Sequence, residues 1–168
     1  MQRRHRITRT VRAFVDTGKL SLDAAFAGLV ALVPMTMVLF SGPLFGLPRV
    51  HLPMLFASMM SGVWAVGAGT VALGWIGYVV LAALIGVAYS WSVSRTFGHT
   101  NALTGAVHGV VPWGAIQLFL AVRLAGLSPG GGWFSQQAFL MLAAFVVHGA
   151  VMGGLLRVEI ERHAMIEA

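Results

Sequence analysis

Two histidines stand inside long apolar stretches of this sequence and are its strongest candidates for chemistry. His108 follows Ala102 by six positions, and His148 precedes Arg157 by nine. If the two stretches are helices joined by a short loop, both imidazoles lie roughly 9 to 13 Å from one shared end. Such a pair can bind haem or a metal ion, carry protons, or bond neighbouring helices together. The sequence leaves all three interpretations open.

Other polar side chains gather near the same end of the two stretches. Asn101, Thr104 and His108 follow an i, i+3, i+7 pattern and therefore share one helix face. Four further residues complete the candidate set: Ser90, Ser94, His99 and Met152. We expect these groups to line a polar cavity that opens at this end.

Paired glycines surround both histidines. Gly105-x-x-x-Gly109 flanks His108, and Gly149-x-x-x-Gly153 follows His148. Small residues four positions apart let helix backbones approach closely in lipid, where packing replaces the hydrophobic effect between helices. The spacing predicts that these two helices pack tightly against each other.

Carboxylates are missing from the apolar stretches. The five acidic residues stand near the two ends of the chain: Asp16, Asp23, Glu159, Glu161 and Glu167. Ion-coupled transporters usually require an acid inside the membrane, and glycosidases require paired carboxylates. The chain also contains no cysteine, which excludes thiolate chemistry. No enzymatic activity is predicted.

The composition indicates a membrane protein that needs lipid around it. Of 168 residues, 58% are hydrophobic and only 10% are charged, and the mean hydropathy is +0.84. A soluble domain normally has about a quarter of its residues charged. The net charge is +6, but six of the eleven basic residues fall within the first 19 positions. A basic segment beside an apolar helix indicates contact with lipid headgroups and not with nucleic acid.

The hydropathy pattern predicts an all-α integral membrane four-helix bundle with one additional short helix. Residues 1–20 form a cytoplasmic, basic and amphipathic N-terminal segment, residues 21–157 the transmembrane domain, and residues 158–168 a cytoplasmic tail. The predicted spans are about 23–47, 74–93, 102–125 and 133–156, and residues 54–69 form a re-entrant or interfacial half-helix.

The distribution of basic residues predicts the orientation. Four spans with both termini in the cytoplasm place nine Lys and Arg residues inside and two, Arg49 and Arg123, outside. A fifth crossing by the half-helix would give seven inside and four outside. The positive-inside rule favours four spans in a prokaryotic inner membrane.

The sequence resembles a family of small, uncharacterised four-span prokaryotic membrane proteins over about residues 24–157. The resemblance rests on Gly74-Trp75, Gly86-x-x-Tyr89, Gly109-x-x-x-Trp113, and His148-Gly149 followed by Gly153. Members of that family often have a histidine shortly after the Gly-Trp pair, whereas this chain has Gly77-Tyr78. The resemblance implies an architecture and supplies no activity.

These features favour a non-catalytic accessory or assembly subunit of a larger membrane complex. Its partners would be the lipid bilayer and other membrane subunits, or further copies of the chain. One alternative is a membrane protein that binds b-type haem or a metal through His108 and His148. A small channel or carrier is the other alternative.

Overall fold

The computed structural model describes residues 19–47, 50–61, 67–93, 99–123 and 135–166. Within these ranges the elements are α1 (Lys19–Ser41), a 3₁₀ turn (Gly42–Phe45), α2 (Leu52–Ser61), α3 (Ala68–Ser92), α4 (Ala102–Arg123) and α5 (Gln136–Ile166). The helices α1, α3, α4 and α5 are long and apolar enough to cross a membrane. The predicted all-α four-helix bundle with a short additional helix is therefore confirmed.

The four long helices do not contact one another equally. Extensive packing joins α4 to α5, α5 to α1, and α1 to α3, while α2 packs against α3. By contrast, α3 and α4 meet at few positions. We call the end where α1 and α4 begin and α3 and α5 finish the Tyr89 end. The opposite end is the Trp113 end.

Glycine and alanine bring α1 and α3 into backbone contact near the Tyr89 end. A Cβ atom on Gly28 would overlap the carbonyl of Ala82, and one on Gly86 would overlap the carbonyl of Ala24. Both glycines are therefore required by the distance between the helices. Small residues at such positions let dispersion contacts form along the whole interface.

The helix α3 begins at Ala68, before the predicted start at about residue 74. Of the predicted half-helix 54–69, residues 54–61 are helical within α2 (Leu52–Ser61), Gly67 is extended, and residues 62–66 lie outside the described residues. Gly67 is extended and caps α3, and its carbonyl accepts the N–H groups of Thr70 and Val71. Gly74 lies inside the helix, where a side chain would overlap the carbonyl of Pro53 in α2. The Gly74-Trp75 pair marks a point of close packing and not a helix start.

The last helix is longer than predicted at its C-terminal end. Whereas the predicted span finishes near residue 156, α5 continues to Ile166 and includes most of the predicted tail. Its 31 residues measure about 46 Å, against about 30 Å for a bilayer hydrocarbon core. The added turns have good helix-forming residues and an Arg157–Glu161 ion pair at i, i+4 spacing.

The remaining predicted boundaries are close to those of the structure. Pro34 lies within α1 and Pro112 within α4, as proline often does in transmembrane helices. After α1, the 3₁₀ turn is closed by Gly46, whose φ of 71° suits glycine. Residues 1–18 of the predicted N-terminal segment, and the span ends at 124–125 and 133–134, lie outside the described residues.

Candidate functional site

The helices α4 and α5 touch backbone to backbone at the paired glycines. A Cβ atom on Gly105 would overlap the carbonyl of Gly149, and a Cβ atom on Gly149 would overlap the carbonyl of Gly105. Neither position has room for a side chain. Helices this close form Cα–H···O contacts as well as dispersion contacts. The geometry is the one that the glycine spacing predicts.

Two further contacts fix how the helices are aligned. A side chain on Gly109 would overlap the carbonyl of Phe145, and one on Gly153 would overlap the carbonyl of Asn101. The matched positions run in opposite directions along the two helices. His108 is therefore level with residue 146 and lies within one turn of the depth of His148. The two histidines share a depth, as their positions in the sequence predict.

His148 is completely buried and links α5 to α1. Its exposed fraction is 0%, and its Nε2 lies 3.0 Å from the carbonyl oxygen of Gly28. A carbonyl can only accept a hydrogen bond, so Nε2 carries the proton and donates it. In a neutral imidazole this assignment leaves Nδ1 with a lone pair. Nδ1 is buried and has no hydrogen-bond partner among the described residues.

At the Tyr89 end, the Tyr89 side chain links α3 to α4 directly and to α5 through Thr100. Its hydroxyl lies 2.9 Å from the Thr100 hydroxyl and 2.8 Å from the Thr104 hydroxyl, at the start of α4. Thr100 donates in turn to the carbonyl of Gly153 in α5, at 3.1 Å. Tyr89 is fully buried, and its ring centroid is 5.1 Å from that of His108. The side chain spans the gap between α3 and α4.

The polar residues Asn101 and Thr104 also form the N-terminal cap of α4. The Asn101 side-chain oxygen accepts the Thr104 N–H at 2.8 Å, and the Thr104 hydroxyl accepts the Asn101 N–H at 3.0 Å. This reciprocal pair satisfies helix N–H groups that have no partner inside the helix. Both residues thus have a structural use that the prediction of a cavity lining did not include.

The other predicted cavity residues lie in different environments. Ser90 is buried and donates to the Val87 carbonyl of its own helix, while Met152 is fully buried in the core. His99 is exposed before α4, and His108 is half-buried. Ser94 lies outside the described residues. That this set encloses a cavity stays a prediction.

From the sequence, Tyr89 stands out only as part of the Gly86-x-x-Tyr89 motif and not as a site residue. Two polar contacts at the Trp113 end were also not predicted. The Trp113 indole N–H donates to the carbonyl of Ala138 at 2.9 Å, and the Thr36 and Tyr78 hydroxyls lie 3.2 Å apart. Each contact joins two long helices. In the sequence, each of these side chains stands one or two helical turns from a glycine. That pattern is too common in membrane helices to identify a contact.

No protein-family model, curated protein or solved structure matches this chain. The resemblance to small four-span membrane proteins therefore stays a prediction, based on the residues given above.

The geometry of the site is difficult to combine with a haem between α4 and α5. A porphyrin ligated by two histidines lies between their imidazoles, so their helices must stand apart by the thickness of the ligands and the iron. Here the glycine contacts close that space directly above and below His108. In addition, Nε2 of His148 is occupied by its bond to Gly28.

The arrangement instead has two chemically distinct parts. Around Tyr89, hydroxyl groups donate and accept among themselves and the helix ends, which holds α3, α4 and α5 together. Around His148, a buried imidazole lone pair has no partner in the part of the chain that the structure describes. The first part serves structure, and the second could bind a small electron-pair acceptor.

Proposed function

We propose that this chain is a non-catalytic membrane subunit that helps to assemble or maintain a larger membrane complex. The observation that carries the proposal is how the polar side chains of the long helices are used. Tyr89, Trp113 and Tyr78 each form a hydrogen bond with a neighbouring helix. A rigid, internally bonded bundle suits a scaffold that presents its outer surface to other proteins.

The outer surface of α1 offers a suitable docking face. Large apolar side chains are exposed along its length at spacings of three or four residues, and they continue into the 3₁₀ turn: Leu22, Phe26, Val30, Val33, Met37, Phe40 and Leu44. We call this row the α1 seam. Side chains at this spacing, which averages about 3.7 residues, stay on one face of a straight helix and can pack along a partner helix. A partner helix is the proposed occupant of the α1 seam.

The orientation follows from the basic residues. We place the Tyr89 end in the cytoplasm of a prokaryotic cell, because that end joins the segments richest in arginine and lysine. A reporter protein active only in the cytoplasm, fused after Ala168, should be active. A reporter active only outside the cytoplasm should be inactive at the same position. The opposite pattern would overturn the orientation.

Single cysteines test the docking face, because the chain has no cysteine of its own. We would introduce V33C and M37C on the α1 seam and V111C as the matched control. Val111 is equally apolar and exposed but lies on α4. A short bismaleimide cross-linker is then applied to native membranes, and the products are identified by mass spectrometry.

If the chain is an accessory subunit, we expect V33C and M37C to cross-link to a different polypeptide, and V111C to do so much less. If none of the three cysteines cross-links, although each reacts with a monomeric maleimide, the accessory role is contradicted. Products that contain only a second copy of this chain would replace the accessory role with self-assembly.

A further inference from the structure

His148 has the arrangement of a metal-binding histidine. Metal-ligating histidines almost always donate their second ring N–H to a carbonyl, carboxylate or water, which fixes the tautomer and orients the ring. Here Nε2 donates to the Gly28 carbonyl, and no described residue donates a hydrogen bond to the lone pair of Nδ1. An unpaired polar atom in a fully buried side chain is uncommon and needs a reason.

A soft donor, the Met152 thioether, lies one helical turn away. Met152 follows His148 at i+4 spacing, so their Cβ atoms are about 6 Å apart on one face of α5. Both side chains have an exposed fraction of 0%. A thioether is a soft ligand that binds copper(I) and related ions in preference to hard cations.

A third donor lies at the same depth on α4. The alignment of the glycines places His108 within one turn of His148, and Tyr89 lies next to both His108 and Gly153. Three histidines also lead inward from the Tyr89 end with falling exposure. His99 is exposed, His108 is half-buried, and His148 is fully buried.

The charge balance selects the class of metal. No acidic residue occurs between positions 24 and 158, so the bundle interior has nothing to neutralise a divalent ion. A soft monovalent ion with neutral ligands has the smallest desolvation cost. We propose that His148 Nδ1 and Met152 Sδ bind one copper(I) ion, with His108 as the third ligand. This site is independent of the accessory role proposed above.

The test measures copper(I) binding to the full chain in lipid nanodiscs. Copper is supplied as copper(I) under reducing conditions, in competition with a coloured copper(I) chelator. Silver(I) serves as a redox-inert replacement. The proposal expects one equivalent of either ion per chain. X-ray absorption of the copper complex should show both nitrogen and sulfur neighbours.

Two conservative variants and one control locate the site. H148Q retains an N–H that can donate to Gly28 but loses the imidazole lone pair, and it should abolish binding. M152L conserves volume and should weaken binding at least about tenfold, the loss that follows even from changing an outer ligand contact. M141L is the matched control, because Met141 is also buried in α5 but lies two turns before His148. It should bind like the parent.

Three results would overturn the proposal. The first is a parent protein that gives up all copper(I) to the chelator, which would leave water as the partner of Nδ1. The second is equal weakening by M152L and M141L, which would show a general effect of methionine. The third is binding that persists in H148Q while the thermal midpoint stays close to that of the parent.

Discussion

Two neighbouring sides of this bundle are built in opposite ways. Between α4 and α5, the paired glycines bring the backbones into direct contact, and at those positions no side chain separates them. Between α3 and α4, the helices meet at few positions, and the Tyr89 side chain spans the distance. Both pairs are consecutive in the sequence. Order along the chain therefore does not decide how closely two helices pack, whereas residue size at the interface does.

The difference has consequences for what each side can tolerate. A backbone interface gains from many small dispersion and Cα–H···O contacts, and several of them weaken together when an added side chain forces the helices apart. A side bridged by one tyrosine depends on a few hydrogen bonds, each worth about 0.6 kcal/mol on average in membrane proteins. We expect the first side to be the more sensitive to substitution.

The largest effect is expected from adding a single methyl group to the backbone interface. In G105A, the new Cβ would overlap the Gly149 carbonyl, which forces the helices apart. Overpacking of this kind costs roughly 1–3 kcal/mol of unfolding free energy. The measurement is reversible unfolding in mixed detergent micelles containing increasing amounts of dodecyl sulfate.

G114A is the matched control for that experiment. Gly114 lies on the same helix, and a Cβ there would have no neighbour within 4 Å. Alanine is the better helix former by roughly 0.5–1 kcal/mol, so this variant should be as stable as the parent or slightly more stable. If G105A and G114A change stability by the same amount, the close contact of α4 with α5 is wrong.

A smaller loss is expected when the tyrosine bridge is cut. Y89F keeps the ring against His108 but removes the hydroxyl that Thr100 and Thr104 share. Thr100 still donates to the Gly153 carbonyl and Thr104 to the Asn101 carbonyl, so neither hydroxyl loses its hydrogen-bond acceptor. We expect a loss of about 1 kcal/mol, near the upper part of the range for such bonds in membranes.

Distance measurements in Y89F separate the effect on the α3–α4 interface from the effect on the α4–α5 interface. Spin labels on L84C and V107C report the separation of α3 and α4, and labels on V111C and F139C report that of α4 and α5. All four positions are exposed. In Y89F the first distance distribution should broaden while the second stays unchanged. Broadening of both, or of neither, would contradict the bridging role of Tyr89.

The close contact between α4 and α5 could be predicted from the sequence, whereas the Tyr89 bridge between α3 and α4 could not. Gly105-x-x-x-Gly109 and Gly149-x-x-x-Gly153 repeat at the helix period, and small residues in that pattern have one common structural use. Their contact and the shared depth of the two histidines were therefore predictable. Tyr89 has no comparable pattern, because its partners depend on where the loop before α4 places Thr100.

The misplaced start of α3 has a similar physical cause. Glycines occur at positions 67, 69 and 74, and a sequence pattern does not distinguish a glycine that caps a helix from one that allows contact. Here Gly67 caps, and Gly74 allows α3 to approach Pro53. Likewise, the bond from His148 to Gly28 was not predictable, because any buried carbonyl can accept it.

The tyrosine contact at the Trp113 end is weaker than the one at the Tyr89 end. The Tyr78 and Thr36 hydroxyls lie 3.2 Å apart, which is longer than either contact of the Tyr89 hydroxyl, and Thr36 is the one hydroxyl partner of Tyr78 among the described residues. We expect Y78F to cost roughly 0.5 kcal/mol, close to the mean for such bonds in membranes. The measurement is the same unfolding titration, with T36V as a second variant. If Y78F proves more costly than Y89F, the number of hydroxyl partners does not decide the effect.

The smallest effect is expected outside the bundle, at the exposed end of α5. Arg157 Nε and Glu161 Oε1 lie 2.9 Å apart, with both side chains more than half exposed. Exposed pairs at i, i+4 spacing contribute about 0.3–0.5 kcal/mol and are screened by salt. R157Q should therefore leave global unfolding almost unchanged and increase amide hydrogen exchange only around residues 157–166. The increase should vanish in roughly 1 M salt, where the Debye length is about 3 Å. An effect that persists at that salt concentration would mean that Arg157 acts through packing and not through its charge.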